Sequence, residues 1–146
     1  AKVRLHESLT SLRAGAKSVD LVLNPFLSNN EEYYKILKEL ETHCRACDDY
    51  GAKLRAILHH NLYDLTRCVS LARVVEDSGC EYIIPSSGFH NDDIYDNLLT
   101  SKTIESKTDI KVISNGYIWL KKQYEAAINS NIFGLRLYSL GPMLNF

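Results

Sequence analysis

The sequence predicts an α/β fold: a parallel sheet with helices outside it. Short apolar strand patterns and longer helical patterns alternate five times along the chain, at intervals of about two to three dozen residues. The strand segments show little polar alternation, as expected of strands buried on both faces. No low-complexity tract or linker breaks the 146 residues, which read as a single domain over 1–146. An open doubly wound sheet and part of a (β/α)8 barrel both fit this pattern, and periodicity does not choose between them.

The elements follow in order. Val3, Leu5, Leu9 and Leu12 give residues 2–14 a helical stripe, and Gly15 suits the position that ends a helix. Residues 18–24 read as the first strand, stopped by Pro25. Asn29 or Asn30 is the expected cap of the next helix, with Glu31 and Glu32 in its first turn. Tyr33, Ile36, Leu37, Leu40, Cys44 and Cys47 form its apolar stripe, and Gly51 ends it. Residues 54–59 read as the second strand. Asp64 caps a helix carrying Leu65, Cys68, Val69, Ala72 and Val75, closed by Gly79. Tyr82 to Ile84 is the third strand, and Asp92 or Asp93 opens a short helix through Leu98 and Leu99. Residues 111–114 are the fourth strand. Trp119, Leu120, Tyr124, Ala127 and Ile128 mark a last helix, and 135–138 the fifth strand.

Composition narrows the function classes. With 45% hydrophobic and 24% charged residues and a net charge of −1, nothing points to nucleic acid or an anionic membrane surface. No apolar run approaches the roughly 18 residues of a transmembrane helix. The first residues read as an amphipathic helix rather than a signal peptide. The chain opens on Ala1 in mid-helix, the expectation for a processed chain or a piece of a longer protein. Cys44, Cys47, Cys68 and Cys80 fall mostly on helices or helix ends, so free thiols in a reducing compartment are expected, cytoplasm or mitochondrial matrix. Cys44-Arg45-Ala46-Cys47 is a CxxC without a second pair, and core packing is the simplest reading of it.

Five stretches carry a resemblance. Glu81-Tyr82-Ile83-Ile84-Pro85-Ser86-Ser87-Gly88-Phe89 is similar to the F-V/I-K-T-S-T-G-F segment that holds the Schiff-base lysine of deoxyribose-phosphate aldolases. Residues 14–22 resemble that family's A-x-G-A-D-E-I/V-D-M/V-V, and residues 54–60 its L-K-V-I-I/L-E-T. Residues 110–118 resemble V-G/K-F/V/I-K-P/A-A/S-G-G-I/V, and Arg136-Leu137-Tyr138-Ser139-Leu140-Gly141 resembles R-I/F-G-A/T-S-S. The order and spacing cover nearly the whole chain. The resemblance implies a TIM (β/α)8 barrel of the class I aldolase type, with only about the last five strand-helix units in this chain. A barrel takes about 250 residues, so N-terminal units are expected to be missing. A five-strand arc leaves two edge strands and half an apolar interior open, which another segment or chain would have to cover.

The chemistry implied by the resemblance has been altered. A class I aldolase uses a lysine amine to form an imine, a second lysine to tune it, and a carboxylate to relay protons. On this chain those positions are Ile84, Ile113 and Asp20, and only the aspartate remains. Lys111 shares the strand parity of Ile113 but lies about 6–7 Å lower along the strand. Of the small residues that the family uses to bind phosphate, Gly88, Gly116, Ser139 and Gly141 remain, while Tyr117, Tyr138 and Leu140 replace others.

Asp20 reads either as an inherited catalytic residue or as an acid now tied to a backbone or tyrosine partner. The resemblance thus implies a catalytically inactive aldolase-like domain, without cofactor or metal, acting as a structural or accessory subunit beside other protein subunits. Two alternatives stay open. One is a divergent active aldolase that cleaves 2-deoxyribose 5-phosphate to glyceraldehyde 3-phosphate and acetaldehyde. The other is a small-molecule or metal-binding barrel using Asp20, His59 and His90, although His59 and His60, as strand neighbours, cannot both face the centre. Trp119 and the nine tyrosines read mainly as interior packing, with a tyrosine-rich outer face suiting a protein interface.

Overall fold

The computed structural model describes residues 2–89 and 93–138. Five strands make one sheet, β1 (Ser18–Val22), β2 (Lys53–Ile57), β3 (Tyr82–Ile84), β4 (Lys111–Gly116) and β5 (Gly134–Leu137). Each pairs in parallel with the next. The order runs sequentially without reversal, so among the described residues the sheet has no switch point of the doubly wound kind and has the topology of a barrel arc. The helices are α1 (Lys2–Arg13), α2 (Pro25–Asn29), α3 (Tyr33–Asp49), α4 (Leu65–Asp77), α5 (Ile94–Glu105) and α6 (Lys121–Ile128). Among the described residues no helix is long and apolar enough to cross a membrane.

Local chemistry explains most boundaries. Helix α1 closes at Gly15, at φ +96°, where Gly15 N–H reaches Leu12 O and Ala16 N–H reaches Ser11 O. Those paired bonds satisfy carbonyls that the helix end would otherwise leave open. Gly51 ends α3 in the same way. Asp64 caps α4 and Asp93 caps α5 through their carboxylates, and α5 runs longer than the short helix expected there.

Three local expectations fail. Pro25 does more than stop a strand: it opens the short helix α2, capped by the Asn24 side chain. Proline suits a first helical turn because its missing N–H is not needed there. Asn29 and Asn30 therefore end α2 rather than cap α3, whose N-cap is Glu32 with no side-chain bond. Trp119 and Leu120 lie outside α6, both 61% exposed, so the interior reading of Trp119 is wrong. Strand ends also move by one or two residues, as turns compete with the ladder there.

The two faces of the sheet differ in kind. Leu21, Leu23, Leu54, Ala56, Leu58, Ile83 and Val112 point outward into one buried cluster with Ile36, Leu40, Cys47, Leu71, Ala72 and Val75 from α3 and α4. Each leucine, isoleucine or valine among them contributes about 1.5–3 kcal/mol on burial. The opposite face carries Ser18, Asp20 and Val22, then Lys53, Arg55 and Ile57, then Tyr82 and Ile84, then Lys111, Ile113 and Asn115. Polar alternation is therefore present, and the exposed inner face is charged toward the amino ends of the strands instead of apolar. Those charges are paired with one another and keep part of their surface exposed.

Candidate functional site

The inner face builds the site in layers. At the amino end Glu81 accepts from Lys53, and Lys111 Nζ lies 3.4 Å from Glu81 Oε2. The two ammonium groups hold the Glu81 carboxyl below its ordinary range, and Glu81 in turn holds the Lys53 ammonium above its own. Lys111 also stands over the rings of Tyr82 and Phe133, at 5.4 and 5.5 Å from their centroids. It is thus engaged at the foot of β4, one strand repeat below Ile113.

In the next layer the Asp20 carboxylate is held on both oxygens. Arg55 Nε donates to Oδ1 at 2.6 Å, and Arg136 Nη1 donates to Oδ2 at 2.6 Å. Register explains the first contact, because Asp20 and Arg55 are direct partners between β1 and β2. The second crosses the arc from β5. Asp20 is therefore tied down, but by guanidinium groups and not by the backbone or tyrosine partner expected. The signal for Arg55 was its alternation with Lys53 along β2, whereas Arg136 stands as a lone charge among apolar neighbours in β5. Ile84 lies above this layer and is fully buried, while Ile113 is half-buried beside Gly134.

At the carboxyl ends of the strands Asn115 is the hub. Its Nδ2 donates to Ser86 O at 2.6 Å and to the Tyr138 hydroxyl, and its Oδ1 accepts from Ser86 N–H at 3.3 Å. Asn97 from α5 donates to Asn115 O at 2.5 Å. Both asparagines are buried, so these bonds offset a real desolvation cost. Neither was singled out in the sequence, where one asparagine inside a helix and one near the end of a strand have no distinctive pattern. The turn after β3 is thereby fixed to β4.

Gly88, at φ +82°, sits directly beneath Tyr138: a Cβ there would lie 3.0 Å from the Tyr138 ring. Tyr138 packs against Tyr117 at 4.9 Å, and Tyr117 stacks on Trp119 at 5.6 Å. Gly116, at φ +154°, lets Ile94 of α5 approach to within 3.1 Å of its missing Cβ. Ser139, Leu140 and Gly141 lie outside the described residues.

The histidines part company. His59 takes a left-handed conformation at φ 57°, and its Nδ1 lies 3.3 Å from Ser87 Oγ. His60 turns outward to α5, with Nε2 at 2.6 Å from Asn97 Oδ1 and Nδ1 at 3.1 Å from Thr100 Oγ1. That divergence matches the expectation, although a turn and not strand parity produces it. His90 lies outside the described residues. Among the described residues no cluster of three His, Cys, Asp or Glu side chains could hold a metal ion.

Along the open edge of β1 runs a groove of about 470 Å³ lined by Arg4, Ser8, Asp20, Val22 and Asn24 among others. Arg4, paired with Glu39 at 3.1 Å, donates to Val22 O there. That carbonyl faces away from β2 and would otherwise lack a protein donor.

Comparison with known proteins agrees with this geometry. No family model matches the chain. A deoxyribose-phosphate aldolase of Mannheimia succiniciproducens is 26% identical over 111 residues, which is 75% of this chain and 49% of that protein. An aldolase designated QR15 superposes with a TM-score of 0.79 at 20% identity, covering 93% of this chain and 61% of its own. The tetrameric deoxyribose-phosphate aldolase of Aeropyrum pernix gives 0.78 at 21%, covering 92% and 56%. The chain thus spans about half the length of the curated relative. Its fold is that of an aldolase-type (β/α)8 barrel, of which it carries the C-terminal units, and its sequence is similar to deoxyribose-phosphate aldolases.

Proposed function

We propose that this chain is a catalytically inactive aldolase-type barrel segment serving as a structural or accessory subunit of a larger protein assembly. The observation that carries the proposal is the state of the inner face. The positions that resemble the imine-forming and tuning lysines are Ile84 and Ile113, and the one retained acid, Asp20, has both oxygens engaged by arginines. An isoleucine can neither form an imine nor supply charge. With Arg55 on one oxygen and Arg136 on the other, neither oxygen of Asp20 is left free to face a substrate.

The mouth supports the same reading. Tyr138 lies on Gly88, where the resemblance calls for open space around a phosphate. The partner role rests on surface chemistry. Phe89 (89% exposed), Trp119 and Leu120 (each 61%) present apolar surface after the carboxyl ends of β3 and β4. Aromatic residues of this kind are enriched in protein interfaces, and among the described residues neither edge of the arc pairs with a further strand.

Two measurements test the proposal. Borohydride reduction after adding acetaldehyde or 2-deoxyribose 5-phosphate should leave no adduct on the chain. A trapped lysine would favour the divergent active aldolase instead. The native mass in gentle extracts of its source should be that of a complex with other proteins. A free monomer would overturn the subunit role.

A further inference from the structure

The CxxC of α3 suggests that Cys44 pairs with Cys47, but tertiary structure supplies a different neighbour. Residues three apart on a helix hold their Cβ atoms about 5–6 Å apart, whereas a disulfide needs about 3.5–4.5 Å. Cys47 is also 1% exposed and points into the core, where burial pushes its thiol up to about 11.

Cys44 instead meets Cys80, the residue just before β3. Both line one small crevice with Asp48, Lys53, Leu54 and Gly79. At about 20 Å³ it has room for roughly one water molecule and no larger ligand. Cys80 Sγ is fixed, lying 3.4 Å from both Leu54 O and Tyr82 O. Cys44 is half-exposed while Cys80 is buried, so one thiol is open to solvent and the other waits behind it.

We infer that Cys44 and Cys80 form a reversible intramolecular disulfide when the chain meets a low-molecular-weight disulfide. Cys44 is the attacking sulfur, since the Cys80 S–H beside it holds its thiol below the ordinary range, while the same contact and burial push Cys80 up. The Cys44 thiolate attacks one sulfur of the small disulfide and expels a small thiolate, leaving a mixed disulfide. Cys80 gives its proton to that thiolate, and its sulfur attacks Cys44 Sγ, expelling a second small thiolate. Two protein thiols are oxidised, and one small disulfide is reduced to two thiols. The bond ties α3 to the entry of β3 across the end of β2.

The test uses the full chain and oxidised glutathione, followed by non-reducing digestion and mass spectrometry. The expected product is a monomer lighter by two hydrogens, with one crosslinked peptide pair containing Cys44 and Cys80, reversed by dithiothreitol. Cys47→Ser should leave this product unchanged, and Cys44→Ser should abolish it. Cys44 carrying glutathione without the crosslink, a Cys44–Cys47 bond, or a disulfide-linked dimer would each overturn the inference. The wild-type peptide map decides the matter even if a Cys80 variant fails to fold.

Discussion

Arg136 Nη1 lies 2.6 Å from Asp20 Oδ2, joining the last strand of the sheet to the first across 116 residues of sequence. Arg55 holds the other oxygen. The two edges of an open arc are thereby linked through its concave face by a charge network and not by apolar packing. Asp20→Ala should leave two guanidinium groups facing each other. An unfolding midpoint equivalent to about 1–2 kcal/mol of lost stability is expected, between the values for exposed and buried ion pairs. The double variant with Arg136→Ala should lose less than the sum of the single losses. Strict additivity in urea denaturation would show that the contact contributes nothing.

Restoring a lysine should not restore an enzyme. Ile84→Lys places an ammonium where the side chain is fully buried, at a cost of about 3 kcal/mol or more. The position that resembles the tuning lysine remains Ile113, and Tyr138 still lies on Gly88. Assayed with 2-deoxyribose 5-phosphate, Ile84→Lys is expected to show no turnover. Measurable aldehyde release would mean that the mouth is more open than the Tyr138 contact implies.

The Gly88–Tyr138 contact gives a separable prediction. Gly88→Ala adds a methyl 3.0 Å from the Tyr138 ring at φ +82°, so both crowding and backbone strain act. A loss of about 1–3 kcal/mol follows. With Tyr138→Ala in the background only the backbone part remains, and the penalty of Gly88→Ala should fall. An unchanged penalty in thermal melts of the two backgrounds would place the whole effect in the backbone.

Alkaline pH should weaken the fold through its buried thiols. Burial pushes Cys68 up to about 12 and Cys47 up to about 11, against about 8.5 in an unfolded chain. Above about 8.5 the unfolded state loses protons that the folded state keeps, so stability falls as pH rises toward those values. The slope is at most about 1.4 kcal/mol per pH unit for each thiol. Cys68→Ala should lower stability at neutral pH by leaving a small void, yet flatten the alkaline decline. Denaturation midpoints between pH about 8 and 10 would settle it, and parallel curves for the two proteins would contradict it.

The sequence by itself determined the element order, the parallel sheet and most helix ends, because these depend on local periodicity and on caps such as Gly15, Asp64 and Asp93. It also placed Ile84, Ile113 and Asp20 at the positions that resemble the aldolase lysines and acid. It did not disclose α2, since Asn24-Pro25 reads as a strand stop until the backbone shows Asn24 folding back as a cap. Only the tertiary structure decided what Asp20 does, why Trp119 is outside, and which cysteine Cys44 meets. The physical reason is shared. Periodicity and caps act over one or two turns of chain, whereas Asp20–Arg136 and Gly88–Tyr138 are brought together by the course of the sheet and Cys44–Cys80 by the packing of α3 on its outer face, and no spacing along the chain encodes those distances.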